Sequence, residues 1–234
     1  MNNQDFSRSK SLNNIPSRKL EEKISLIEKN EQDARIKSTK LTAIHRYAES
    51  NIPVEYWSLK IDKDFHGPPQ LLQAYQDATN DIKQTYIDGY SLCFAGNHGI
   101  GKTTVTTNIL KKSVNKGFTA LYTTLSDVVA ALTQAENEEK FIARRELCMV
   151  DFLAIDEFDP RFLSSESSAD LYARTLETIF RARSQNKIPT FMCTNSPNVV
   201  ESFHGPLKAS IDSLMKGYMK VIPVIGSDFR KREK

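Results

Sequence analysis

The amino-acid sequence predicts an α/β fold, in which short apolar strands alternate with helices along one chain. Three observations predict it. Tyr90 to Ala95 is short, apolar and suited to a buried strand. It runs into Gly96-Asn97-His98-Gly99-Ile100-Gly101-Lys102-Thr103, and a helical stretch from Thr104 to Lys116 comes next. Met149 to Ile155 is another apolar run, and it ends on the acidic pair Asp156-Glu157. Ile188 to Thr194 is a third, with Asn195 at its tip. Strand, glycine loop, Lys-Thr and helix, in that order, are what a phosphate-binding loop needs.

Composition narrows the class. At 234 residues the chain can bury one good-sized core. A formal net charge of +3 is too small to argue for nucleic acid by itself. No run of about eighteen apolar residues exists, so no membrane span is expected. Met1-Asn2-Asn3-Gln4-Asp5 lacks the apolar core of a signal peptide. Cys93, Cys148 and Cys193 lie far apart, in or beside apolar segments and without metal-ligand spacing. They read as buried thiols in a reduced, cytoplasmic setting, a bacterial cell or a phage-infected host.

Taken in order, residues 1–16 are polar and read as mobile. Ser17 opens a helix that reaches Ser50, where Asn51-Ile52-Pro53 ends it. Leu20, Ile24, Ile27, Ala34, Leu41, Ile44 and Ala48 draw one thin apolar stripe along it. Such a stripe cannot make a core alone: it docks on the main domain, or it binds a partner. Residues 1–50 are therefore set apart as an N-terminal helical extension, and residues 51–234 as the main domain.

Tyr56 and Trp57 read as a buried aromatic pair or as a lid over a nucleotide base. Gly67-Pro68-Pro69 is a turn, and Gln70 to Asp88 reads as one helix. After the glycine loop and its helix, which Gly117 closes, Phe118 to Thr123 is a strand. Ser126 is placed as the cap of a helix through Leu132, and Ala135 to Leu147 is a charged helix. Beyond Asp156-Glu157, Phe158 to Ser168 is an irregular loop. Ala169 to Asn186 is amphipathic, with Leu171, Leu176, Ile179 and Phe180 inward. Leu207 to Met215 is a short helix, and Lys220 to Ile225 a last strand before a basic end.

The chemistry is carried by the loop and by the strand tips. Gly96, Gly99 and Gly101 let the backbone curl so that N–H groups of Gly96 to Thr104 face one anion. The helix that begins near Lys102 adds its positive end. Lys102 would reach the outer phosphates of a bound nucleotide, and Thr103 would hold Mg²⁺ through its hydroxyl. Asp156 would join the Mg²⁺ shell through water, and Glu157 would orient and polarise the attacking water. Open α/β sheets bind ligands at the edge where these carboxylates stand. Asn195 is placed to touch the γ-phosphate or that water, or is a turn residue before Ser196-Pro197.

From about Ile52 to Arg232 these motifs together resemble the AAA+ helicase loaders of the DnaC/DnaI type and the related IstB transposition ATPases. The likeness rests on Ile52-Pro53, the Gly96–Thr103 loop (Walker A), Leu153-Ala154-Ile155-Asp156-Glu157 (Walker B), Thr194-Asn195 (sensor 1) and Gly226-Ser227-Asp228-Phe229-Arg230. The resemblance implies a five-stranded parallel sheet of order 5-1-4-3-2 with helices on both faces; with the last strand so near residue 234, no separate lid domain of the kind many AAA+ proteins carry is expected. It implies an ATP hydrolase using ATP and Mg²⁺, with Lys102, Thr103, Asp156, Glu157 and Asn195 in the roles given above. It also implies self-association into a spiral or ring, single-stranded DNA as a ligand, and a hexameric replicative helicase as partner. Residues 17–50 would be the helicase-binding element by position. The alternative within this reading is an IstB-like transposition helper that binds duplex DNA and transposase; an alternative of another class is a nucleotide-gated adaptor with little turnover.

In the family a neighbouring subunit's arginine completes each ATP site, because a guanidinium delivered in trans stabilises charge developing on the phosphoryl group. Here Ser213, within Ile211-Asp212-Ser213-Leu214, stands where that arginine is expected. Either another base serves, with Lys208, Lys216 and Arg230 as candidates, or turnover is weak without a partner. Arg181 and Arg183 match basic positions near the end of the family's preceding helix, from which either could reach an interface. Thr123 to Asp127 and Phe162 to Ser168, with Tyr172 nearby, are the loops the resemblance places against single-stranded DNA.

Overall fold

The computed structural model describes residues 17–61, 65–159, 166–196, 208–209, 212–213 and 216–228. The chain divides into two units, residues 1–42 and 43–234. In the first, the described residues belong to helix α1 (Ser17–Glu49), and Ile24, Ile27 and Leu41 are exposed on it.

The second unit holds the end of α1 and a parallel sheet with helices. Its elements are α2 (Pro69–Thr79), α3 (Ile82–Asp88), β1 (Ser91–Gly96), α4 (Lys102–Asn115), β2 (Ala120–Thr124), α5 (Leu125–Thr133) and α6 (Asn137–Met149). After these come β3 (Phe152–Asp156), α7 (Glu166–Gln185), β4 (Thr190–Thr194) and β5 (Met219–Val224). All five strands pair in parallel, in the order β2-β3-β4-β1-β5. That is the expected order 5-1-4-3-2 read from the other edge. The three central strands are buried throughout, as a sheet covered on both faces requires. Alternation divides the core in two. Leu92, Phe94, Phe152 and Phe191 pack with α2 and α4, while Cys93, Ala95, Leu153 and Met192 pack with α5 and α7. Pro223 sits on edge strand β5, where its missing donor does least harm.

Several elements differ from the sequence expectation. Gln70 to Asp88 is two helices, because Asp81 adopts an extended φ of −135° and its side chain accepts from Gln84 N, capping a new helix. The cap of α5 is Thr124, not Ser126. Thr124 Oγ1 accepts from Asp127 N at 3.1 Å, and Asp127 Oδ2 accepts from Thr124 N at 3.4 Å, a reciprocal capping box. Most of the expected helix from Leu207 to Met215 lies outside the described residues.

Arg183 is a larger correction. It does not reach an interface. It is fully buried, and its guanidinium donates to Thr190 Oγ1 (2.8 Å), Leu147 O (3.0 Å), Val150 O (2.8 Å) and Pro189 O (2.6 Å). Burial pulls the pKa of the guanidinium down to about 10. The side chain thus ties the end of α6 to the start of β4. Arg183→Met is expected to strand these acceptors and to lower unfolding stability by at least about 3 kcal/mol, read from urea denaturation. Arg181, by contrast, is exposed and pairs with Glu177 at 2.5 Å.

Candidate functional site

Three neighbouring strands deliver the site. β1 ends at Gly96, β3 ends at Asp156, and Asn195 comes directly after β4, which lies between them. Carboxyl ends of adjacent parallel strands are where an open α/β sheet leaves a crevice. A cavity of about 570 Å³ opens there. Lys102, Thr103, Thr104, Asp156, Glu157 and Asn195 line one part of it, with His98, Gly99 and Gly101 from the loop. Tyr56, Leu59, Lys60, Phe65, His66 and Gly67 line the rest.

The loop is held curled by backbone that only glycine takes easily. Gly99 has φ 75°, and a Cβ there would lie 1.8 Å from Asp228 Oδ1. Gly101 has φ 94°, and a Cβ there would lie 2.6 Å from the Phe65 ring. Of the remaining loop positions, Gly96 and Asn97 do not line the cavity, and the Ile100 side chain is anchored in the core. Directly behind the loop, α4 starts at Lys102, so the first turn of the helix and its positive end face the cavity.

Lys102 is only 6% exposed, and its ammonium donates to Gly96 O (2.9 Å), Asn97 O (2.6 Å) and Asn195 Oδ1 (3.0 Å). That last contact fixes the amide of Asn195 with oxygen toward the lysine. Its NH₂ is then the group that can donate to a phosphate oxygen or a water. Thr103 Oγ1 donates to Asp156 Oδ2 at 2.7 Å, so the hydroxyl's lone pairs are left for a cation. Asp156 Oδ1 accepts from Glu157 N at 2.7 Å. The chain kinks at that residue: Glu157 takes a left-handed φ of 49°, and Phe158 N rejoins β4 by donating to Cys193 O at 2.8 Å. The kink takes the exposed Glu157 out of strand alternation and onto the cavity wall.

This donor set fits a triphosphate and its Mg²⁺. Backbone N–H groups and an ammonium suit phosphate oxygens, and one hydroxyl beside one carboxylate suits a cation that keeps most of its shell as water and phosphate. Among the described residues there is no cluster of three or more His, Cys, Asp or Glu able to cage a metal.

Two contributors were missed in the sequence. Tyr122 OH donates to Asp156 Oδ2 at 2.9 Å. Burial, then the Asp156 carboxylate, push this phenol well above its ordinary range, which keeps it a donor. Lys111, buried on α4, donates to the carbonyls of Tyr56 (2.6 Å), Trp57 (3.5 Å) and Leu59. It clamps the turn that forms the far cavity wall. Tyr56 reaches that wall, whereas Trp57 does not: its indole donates to Ile52 O at 2.7 Å and packs against the core.

Other expected positions stand elsewhere. Thr123 to Asp127 is the end of β2, the cap and the start of α5, not a free loop. Residues 162–165 and the Tyr172 side chain lie outside what is described. Ser213, Lys208 and Lys216 are exposed, and Lys216 pairs with Asp212 at 2.6 Å; Arg230 is outside the described residues. Cys93 and Cys193 are buried, and burial pushes the Cys93 thiol up to about 12. No helix among the described residues is long and apolar enough to cross a membrane.

Residues 84–185 match the family model described as IstB-like ATP binding protein. No curated protein matches the chain. Among solved structures, the chain is similar to DnaI, with 17% identity and a TM-score of 0.59, over 76% of this chain and 93% of that one. It is also similar to the DnaC helicase loader, with 19% identity and a TM-score of 0.54, over 73% and 99%. A third is the replication initiator DnaA bound to AMPPCP and single-stranded DNA, with 17% identity and a TM-score of 0.53. That match takes 67% of this chain but spans only 46% of the DnaA chain.

Proposed function

We infer the function from one premise: the chain carries the ATP-binding core of the DnaC/DnaI/IstB-like family. On that premise the protein is an ATP hydrolase that loads a hexameric replicative helicase onto single-stranded DNA. The observation that carries this reading is coverage. The fold takes in nearly the whole of a DnaC helicase loader chain, 99%, and under half of DnaA.

In this reading the curled loop and Lys102 bind the β- and γ-phosphates. Bound Mg²⁺ would be held by Thr103 and, through water, Asp156, and would neutralise charge on the phosphate oxygens. Glu157 accepts a proton from the attacking water and orients it, while Asn195 reports γ-phosphate occupancy to Lys102 through their shared hydrogen bond. ATP binding orders subunits into a spiral or ring that grips single-stranded DNA, and hydrolysis releases it. With Ser213 in place of an arginine, a base from a neighbouring subunit or from the helicase completes the site, and turnover is weak without it. Residues 17–50 engage the helicase.

The test is retention of a replicative helicase by the tagged full-length chain. Arg46 donates to Val114 O at 3.2 Å, and Tyr47 OH accepts from Asn115 Nδ2 at 2.8 Å. Deletion is therefore best made at residues 1–42, which spares these anchors. Helicase retention that disappears with the deletion is the expected result, and retention unaffected by it removes the N-terminal helix from the reading. The family match itself favours a second function, a transposition helper. Binding of transposase and duplex DNA with no helicase binding would replace the loader by that function.

A further inference from the structure

Asp156 has a third donor that the ATP-site roles do not use. Its Oδ2 receives both Thr103 Oγ1 and Tyr122 OH, while Oδ1 receives Glu157 N. Thr103 and Glu157 belong to the phosphate and water ends of the site. Tyr122 belongs to neither. It comes from the middle of edge strand β2, is 8% exposed, and does not line the cavity.

The backbone of Tyr122 is itself fixed from the other side. Tyr122 N donates to Ser50 O at 2.8 Å, and its carbonyl accepts from Asn51 Nδ2 at 3.0 Å. Asn51 holds a left-handed φ of 54° to make that reach, just past the end of α1. Ser50 and Asn51 thus occupy the open side of β2, which an edge strand would otherwise present to solvent. One residue is therefore pinned at its main chain by the turn after α1 and at its hydroxyl by the carboxylate at the end of β3.

We propose that Tyr122 is a positioning residue for Asp156: it aims the carboxylate at the cation and ties that aim to the turn after α1. This rests on the reading of Asp156 as a carboxylate of the Mg²⁺ shell. Outer partners of metal-shell groups set orientation, and losing one lowers metal affinity by about tenfold or more. Thr103 alone cannot replace the tyrosine, because its hydroxyl is shared with the cation. Without the phenol, Asp156 keeps the backbone donor on Oδ1 and gains a rotation of the carboxylate that Tyr122 now blocks.

The experiment uses the full chain with Tyr122→Phe, Asp156→Asn and the double substitution. Binding of a fluorescent ATP analogue is measured in EDTA and across a Mg²⁺ titration. The rise in melting temperature that Mg²⁺ adds to ATP is recorded for each variant against its own ATP-only value, so a lower starting stability does not obscure it. Tyr122→Phe is expected to bind as the parent does in EDTA, yet to need about tenfold more Mg²⁺ for half effect. The double variant is expected to be no worse than Asp156→Asn. A Tyr122→Phe titration that overlays the parent, with Asp156→Asn shifted, overturns the proposal and leaves the site reading intact. So does a Tyr122→Phe effect fully additive with Asp156→Asn, since it then does not act through that carboxylate. If Asp156→Asn itself leaves the Mg²⁺ dependence unchanged, the reading of Asp156 fails and the proposal goes with it.

Discussion

Lys102→Ala is expected to lower ATP affinity by at least about a hundredfold, close to 3 kcal/mol. The physical case is burial. Lys102 is 6% exposed and its ammonium already engages three oxygens at 2.6 to 3.0 Å, so its position is set before a nucleotide arrives. A phosphate oxygen entering the cavity meets a positive charge with little water around it, where charge-assisted hydrogen bonds count for about twice their neutral equivalents. Alanine removes the charge and leaves the loop carbonyls of Gly96 and Asn97 turned toward an anion, so attraction gives way to repulsion. Arginine should not rescue, because a larger planar group does not fit between the loop and Asn195. Equilibrium binding of labelled ATP checks the result, with thermal melting as the control for folding. Unchanged affinity in a folded Lys102→Ala variant would remove the ATP site, and with it the loader reading.

The parts that were legible in the sequence are those that local pattern encodes. The glycine loop, Lys102-Thr103 and the apolar strands ending at Asp156 and Asn195 are contiguous motifs, and the structure brings all of them to one cavity. The strand order came from the resemblance, since periodicity says nothing about which strand lies beside which. What escaped were contacts between distant elements. Tyr122 and Asp156, or Lys111 and the turn at Tyr56, lie far apart in sequence and meet only when the sheet forms. Arg183 is a different failure, because its signal was present. Leu176, Ile179 and Phe180 define the inward stripe of α7, and position 183 continues it at helical spacing. Charge argued for the surface, and the four acceptors that make a buried guanidinium tolerable could not be seen. The break between α2 and α3 was equally hidden: Asn80-Asp81 reads as ordinary helix surface, and only the fold reveals Asp81 as the cap of α3.

Glu157→Gln is expected to cut turnover by about a hundred- to ten-thousandfold while ATP affinity stays within about threefold of the parent. The structure gives the two carboxylates of the acidic pair different settings. Asp156 is 7% exposed and held by donors on both oxygens, whereas Glu157 is exposed at the cavity wall and presents its carboxylate by a backbone kink of φ 49°. Asp156 is suited to fixed orientation, and Glu157 to a mobile water. Glutamine keeps the length and hydrogen-bonding reach of the side chain and leaves the kink in place, so binding and folding should persist. It cannot take a proton, so the attacking water loses its base. Phosphate release should therefore be measured with single-stranded DNA and helicase present, the condition under which the proposed function expects turnover. Collapse of turnover with binding retained traps the ATP state, and partner complexes should then outlive those of the parent chain. Parent turnover that stays at background under every condition, with ATP still bound, would instead make the protein a nucleotide-gated adaptor. A Glu157→Gln variant that hydrolyses as the parent does would move the base elsewhere on the cavity wall.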